Sequence, residues 1–151
     1  MKFKYSFNGE EEKTAKASGL DLSISTKKSV EICRTIRGKA LKDAKSFLEK
    51  VIKKEMAVQM KRYLRDTPHR KGIGPGKYPI KTAEGILRLL KNGEANADNL
   101  GLDVNNLVIL HISAHKATKA WHYGRKKRRK MKRTHIEIVL KEAQAETETK
   151  K

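Results

Sequence analysis

Cysteine is almost absent from this chain. Cys33 stands alone, which rules out an internal disulfide and a cysteine-rich zinc site. No apolar run approaches the ~18 residues that a membrane-spanning helix needs. The opening "MKFKYSFNGE" lacks the hydrophobic stretch of a signal peptide. Acidic charge is scarce too: 17 Asp and Glu face 36 Lys and Arg, for a formal net charge of +19. The sequence contains no H-E-x-x-H, no G-x-S-x-G and no pair of carboxylates in an apolar setting. The glycine-rich "GIGPGK" lacks the spacing and the following Ser or Thr of a phosphate-binding P-loop. Together these features predict a reduced, cytoplasmic protein that is not an enzyme. They predict no cofactor, no metal, no membrane partner and no small-molecule substrate.

What is present is positive charge on a modest apolar frame. A length of 151 residues with 37% hydrophobic content suits a single domain. A compact chain at +19 repels itself and is relieved by a polyanion, nucleic acid before an anionic membrane surface. "FKYSF" alternates Phe3, Tyr5 and Phe7 and predicts a short strand, and "NGEEEKTAKASG" predicts a loop. "STKKSVEICRTIRG" predicts a helix capped by Ser25 or Thr26 and stopped at Gly38, with Val30, Cys33 and Ile36 or Arg37 on one side. In "KALKDAKSFLEKVIKKE", Ala40, Leu41, Ala44, Phe47, Leu48, Val51 and Ile52 form one helical stripe. From Met60 to Tyr78, Gly and Pro forbid a regular helix, and the run predicts a basic loop that orders on RNA. A third helix is expected over "PIKTAEGILRLLKNGEANADNLG", with Pro79 in its first turn and Ala83, Ile86, Leu87, Leu90 and Ala97 on its buried face.

The remainder reads as a long hairpin. "LVILHIS" and "HIEIVL" alternate as strands, and between them lies "WHYGRKKRRK". From Lys116 to Arg133 there are ten Lys and Arg and no acid. Such an arm has no core on either face, so its charge implies phosphate contacts, with Trp121 and Tyr123 available to stack on bases. About ten residues per arm give a reach on the order of 30 Å. His111 and His115 share a strand face, but their spacing of about 13 Å is too long for a common metal. Glu137 is expected at the surface or facing RNA rather than acting as a general base. "EAQAETETKK" is expected to be a disordered tail over 144–151.

Four stretches in this order, "IRGKAL", "PIKTAEGILRLLKNGEANADNLGLD", "GR" and "KRTHIEIVL", resemble a known family. It is the universal large-subunit ribosomal protein family, number twenty-two in bacteria and seventeen in eukaryotes. The long segment 60–78 resembles its archaeal-type members. The match runs from about Leu22 to Glu142. The resemblance implies an α+β fold, with three helices packed on a small antiparallel sheet and a long protruding β-hairpin. It implies one domain over 1–143 with the hairpin extension at about 113–134. It implies a structural constituent of the large subunit that binds ribosomal RNA and supports subunit assembly, its hairpin tip lining the polypeptide exit tunnel. The partners implied are large-subunit ribosomal RNA, neighbouring ribosomal proteins and the nascent polypeptide at the tunnel wall. Expected RNA contacts in the body are Lys28, Arg34, Arg37, Lys39, Lys61, Arg62, Arg65, His69, Arg70, Lys71 and Lys77. In the hairpin they are Lys116, Lys119, Trp121, His122, Tyr123, Arg125, Lys126, Lys127, Arg128, Arg129, Lys130, Lys132 and Arg133. Where the family usually follows Gly-Arg with a small residue, this chain has Lys126. An architectural DNA-binding protein with a basic β-arm is the alternative.

Overall fold

A computed structural model describes residues 5–7 and 13–143 of the chain. Its elements run β1 (Thr14–Leu22), α1 (Thr26–Ile36), α2 (Leu41–Ile52), β2 (Val58–Gln59), β3 (His69–Arg70), β4 (Gly74–Lys77), α3 (Ile80–Asn99), β5 (Leu107–Lys116) and β6 (Thr134–Glu142). The expected fold class holds: three helices pack with antiparallel sheet. The main sheet has the order β1-β6-β5, and a small second sheet has the order β2-β4-β3.

β6 is central, which explains why five successive residues, Ile136–Leu140, are all buried. On one side it pairs with β5 from Leu107↔Glu142 to Lys116↔Thr134. On the other it pairs with β1 from Thr14↔Lys141 to Leu22↔Thr134. β1 corrects the expected loop at "NGEEEKTAKASG". Its inward residues are only Ala15 and Ala17, too small to write a strong strand pattern, and pairing with β6 makes it a strand. Tyr5–Phe7 form no strand, in contrast to the reading of "FKYSF". Phe3 of that reading and the tail at 144–151 lie outside the described residues.

α3 lies across β1 and β6, and Gly93 is where it comes closest. A Cβ there would sit 3.1 Å from Leu140 Cδ1 and 3.6 Å from Ala17 Cβ. The buried face of α3 includes Leu89 and Gly93 besides the expected Ala83, Ile86, Leu90 and Ala97, while Leu87 is partly buried. α1 buries Ile32, Cys33 and Ile36, while Arg37 turns outward. α2 buries Leu41, Ala44, Leu48 and Val51. Ala40 is exposed, not part of that stripe, because it precedes the helix and bridges to Val108 on the edge of β5. The bridge is extended by Gly38 N–H to Ile109 O (2.9 Å) and Ile109 N–H to Lys39 O (3.0 Å). The α1–α2 turn thereby covers a sheet edge that would otherwise present unpaired amides. The register shift in β5 between Ile109 and His111 falls beside this turn.

Candidate nucleic-acid interface

The hairpin stays paired beyond its regular strands. Ala117 N–H reaches Arg133 O at 3.3 Å, Met131 N–H reaches Ala120 O at 2.8 Å and His122 N–H reaches Arg129 O at 2.9 Å. Trp121 and Lys130 form a bridge between them. The chain reverses through a short 3-10 turn at Gly124–Lys126, where Gly124 takes φ +60°. This ladder gives "GRKKRRK" a backbone, so its side chains are displayed from a framed turn. Every residue from Tyr123 to Lys130 is exposed, and Tyr123 is 89% exposed. Trp121 is 59% exposed, with Lys130 Nζ 4.4 Å from its ring centre. Among the described residues, no Lys or Arg between Lys116 and Arg133 forms an ion pair with a carboxylate.

The arm is joined to the body by polar contacts at its root. Arg133 Nη1 donates to Asp21 O at 2.9 Å. The buried Thr134 hydroxyl donates to Ile24 O at 3.0 Å and lies 2.8 Å from the Thr26 hydroxyl. Beside this root is a groove of about 390 Å³. Six lysines line it: Lys27 and Lys28 from α1, Lys77 from β4, and Lys116, Lys119 and Lys132 from the hairpin. Ser25 and Thr26, at the N-terminus of α1, share the lining. The first turn of α1 carries no acid, so its positive dipole end adds to the lysines. Residues from four separate parts of the sequence thus create one anion-attracting surface. Lys27 was not among the expected contacts. Its position next to Lys28 at a helix start was the available signal. Lys81 was also missed; with Ser23 it borders a second basic hollow beside His122, Lys130, Lys132 and Arg133.

The segment expected as a basic loop is held from below by a carboxylate. Glu31 of α1 is 1% exposed and accepts the backbone N–H groups of Lys61 (3.1 Å), Arg62 (2.8 Å) and Tyr63 (2.6 Å). Those donors satisfy a charge that would otherwise be costly to bury. The side chains of Lys61, Arg62 and Arg65 are left exposed, and Arg65 Nε returns to Lys61 O at 2.6 Å. His69 and Arg70 form β3, and Lys71 lies in the turn leading to β4, all exposed. Arg34 is exposed on α1. Arg37 spends part of its guanidinium on Ile112 O at 2.7 Å, and Lys39 lies 5.2 Å from the Phe47 ring centre. These two therefore carry structural contacts as well as charge.

Glu137 differs from expectation. Glu137 is 1% exposed, not a surface residue, because β6 is the central strand. His111 Nε2 and His115 Nε2 each lie 3.1 Å from Glu137 Oε1. Glu137 pairs with Ser113, the residue midway between the two histidines, so its one carboxylate is within reach of both rings although their Cα atoms are four residues apart. Ser6 closes the cluster: its N–H donates to Glu137 Oε2 at 2.9 Å and its hydroxyl donates to Oε1. Phe7 lies against His111, with ring centres 5.7 Å apart. Burial pushes the Glu137 carboxyl up. The hydrogen bonds from Ser6, His115 and His111 together outweigh it and hold the pKa at about 2. The cluster is a latch for residues 5–7. Among the described residues, no group of three or more His, Cys, Asp or Glu could hold a metal ion. No helix among them is long and apolar enough to cross a membrane.

Residues 17–141 match the family model described as ribosomal protein L22p/L17e. The chain is 48% identical to the large ribosomal subunit protein uL22 of Methanosphaera stadtmanae, over 88% of this chain and 92% of the relative. It is 44% identical to the protein of that name from Methanopyrus kandleri, over 88% and 89% of the two chains. For that from Thermofilum pendens it is 40% identical over 94% and 98%. None of these names supports the DNA-binding alternative.

Proposed function

Because the chain belongs to the ribosomal protein L22p/L17e family, we propose that it is a non-catalytic constituent of the large subunit of cytoplasmic ribosomes. It binds large-subunit ribosomal RNA. One observation carries the reading: ten Lys and Arg between Lys116 and Arg133 stand on a paired hairpin with no carboxylate partner among the described residues. Phosphates supply the missing counter-charge, and their released counterions supply much of the affinity.

The parts divide the work. The six-lysine groove grips backbone where the arm leaves the body. The arm carries Trp121, Tyr123 and the cations beyond them into RNA, screening one segment from the repulsion of the next. Its turn, with Lys126 following Gly124–Arg125, reaches the wall of the polypeptide exit tunnel and meets the nascent chain there. Neighbouring ribosomal proteins complete its surroundings. By holding separate RNA segments together the protein supports subunit assembly.

The test is sedimentation of a tagged copy from native lysate, with and without ribonuclease. Co-migration with the large subunit, lost on RNA digestion, is expected. Migration as a small free protein, or with DNA, would overturn the proposal.

A further inference from the structure

A cleft of about 680 Å³ opens between α1, α2 and the basic segment that Glu31 anchors. None of its apolar walls belongs to the expected RNA contacts. Phe47 comes from α2, Met56 from the turn after it, and Ile73 and Tyr78 from the two ends of β4's strand pair. Phe47, Ile73 and Tyr78 are partly buried, and Met56 is 47% exposed. The cleft is therefore an apolar surface left open beside a completed core. Its rim is cationic: Arg34, Lys61, Arg70 and Lys71. Two acids line it. Glu31 is turned inward onto three backbone amides, and Glu55 stands exposed on the α2 side.

One rim cation is set against a ring: Arg70 lies 5.4 Å from the Tyr78 ring centre. Lys39, outside the lining, lies 5.2 Å from the ring centre of Phe47. Gly76 makes the Arg70–Tyr78 arrangement possible. A Cβ there would fall 2.8 Å from Arg70 Cγ and 3.0 Å from Ile73 Cδ1. With bare backbone at that point, the stem of Arg70 lies flat across β4 and its guanidinium reaches Tyr78. Any larger residue at position 76 would lift Arg70 away.

We propose that this cleft receives a single unstacked nucleotide of RNA, its base against Phe47, Met56 and Tyr78 and its phosphates on Arg34, Arg70 and Lys71. The volume falls within the ~300–1,000 Å³ typical of small-ligand sites. A duplex presents its bases edge-on inside a helix and cannot offer a face to Tyr78, whereas splayed single-stranded bases stack on aromatic and guanidinium planes. A purely apolar protein segment would leave four rim cations without partners. The inference rests on the chain sitting on ribosomal RNA.

The test is ultraviolet cross-linking of large subunits purified from cells that carry a tagged full-length copy. Nucleotide-bearing peptides are then identified by mass spectrometry. A nucleotide adduct on a peptide containing Phe47, Met56 or Tyr78 is expected. Its yield should persist in Tyr78→Phe, which keeps the ring, and fall by roughly tenfold in Tyr78→Ala, as loss of one stacking contact predicts. In the same Tyr78→Ala subunits, one ribosomal RNA nucleotide should gain reactivity toward base-modifying reagents. If the chain is in the large subunit and adducts appear at the hairpin but none in the cleft, the proposal fails and the ribosomal reading stands. Cleft peptides joined to another protein would assign the site to a protein segment and overturn it as well. Absence of the chain from large subunits would overturn both.

Discussion

Replacing Glu137 with glutamine removes a charge at almost constant volume, so its effect isolates the electrostatics of the Ser6–His111–His115 latch. The carboxylate accepts from the Ser6 N–H, the Ser6 hydroxyl and two imidazoles while only 1% exposed. Its pKa is lowered from 4.5 to about 2. At ~1.4 kcal/mol per pH unit this sets a ceiling of ~3 kcal/mol. Ser6 is exposed and the His115 side chain is 44% exposed, so solvent screens part of it and about 2 kcal/mol is the working figure. A depressed folded pKa stabilises above the unfolded value of ~4.3 and loses that contribution as pH falls through the folded one. Urea unfolding of wild type and Glu137→Gln should therefore differ by about 2 kcal/mol at pH 7. The gap should shrink as pH falls from about 4.3 to about 2. Amide exchange at residues 5–7 should rise in the variant at pH 7. A gap that does not change with pH, or a variant as stable as wild type, would refute the assignment of Glu137 as a charged latch.

Other consequences are as direct. Cys33 is 2% exposed and burial pushes its thiol up to about 12, so a disulfide reagent should leave it unmodified in the native protein and label it on addition of denaturant. Fast native labelling would contradict the packing of α1. Gly93→Val places a branched side chain where a single Cβ already meets Leu140 at 3.1 Å, and should cost about 1–3 kcal/mol in a urea titration. Converting Arg128, Arg129 and Lys130 to glutamine should leave thermal melting unchanged, since all three are exposed. In filter binding to ribosomal RNA it should flatten the plot of log affinity against log salt by up to about 2–3. An unchanged slope would mean these residues do not meet phosphate.

The parts of the fold that were legible in the sequence are those whose pattern repeats. α2 and α3 carry long apolar stripes, and β5 and β6 alternate. β1 was not legible, because a strand covered by β6 on one edge needs only Ala15 and Ala17 inside, and a polar string with two alanines looks like loop. β2 to β4 are two to four residues long, below the length at which periodicity has meaning. In the site, the charge of the arm was plain from composition. The convergence of Lys28, Lys77 and Lys132 in one groove was not, because tertiary contacts alone bring them together. The carboxylates were the hardest to place. Glu31 and Glu137 resemble surface acids in sequence, and only the donors that surround them in the fold make their burial tolerable.

The pairing of β1 with β6 joins the beginning of the chain to its end, Thr14 opposite Lys141. Synthesis runs from β1 towards β6, so β1 emerges long before its partner exists. At ~5–20 residues per second, the interval between Leu22 and Thr134 lasts on the order of ten seconds. During that time α1 and α2 can form from local contacts, but the main sheet cannot grow strand by strand, because its central member is the last to be made. The newborn protein therefore passes its early life with an open edge and an unfilled core. It becomes a finished body in one late step, when β6 slides in between two strands that have been waiting for it.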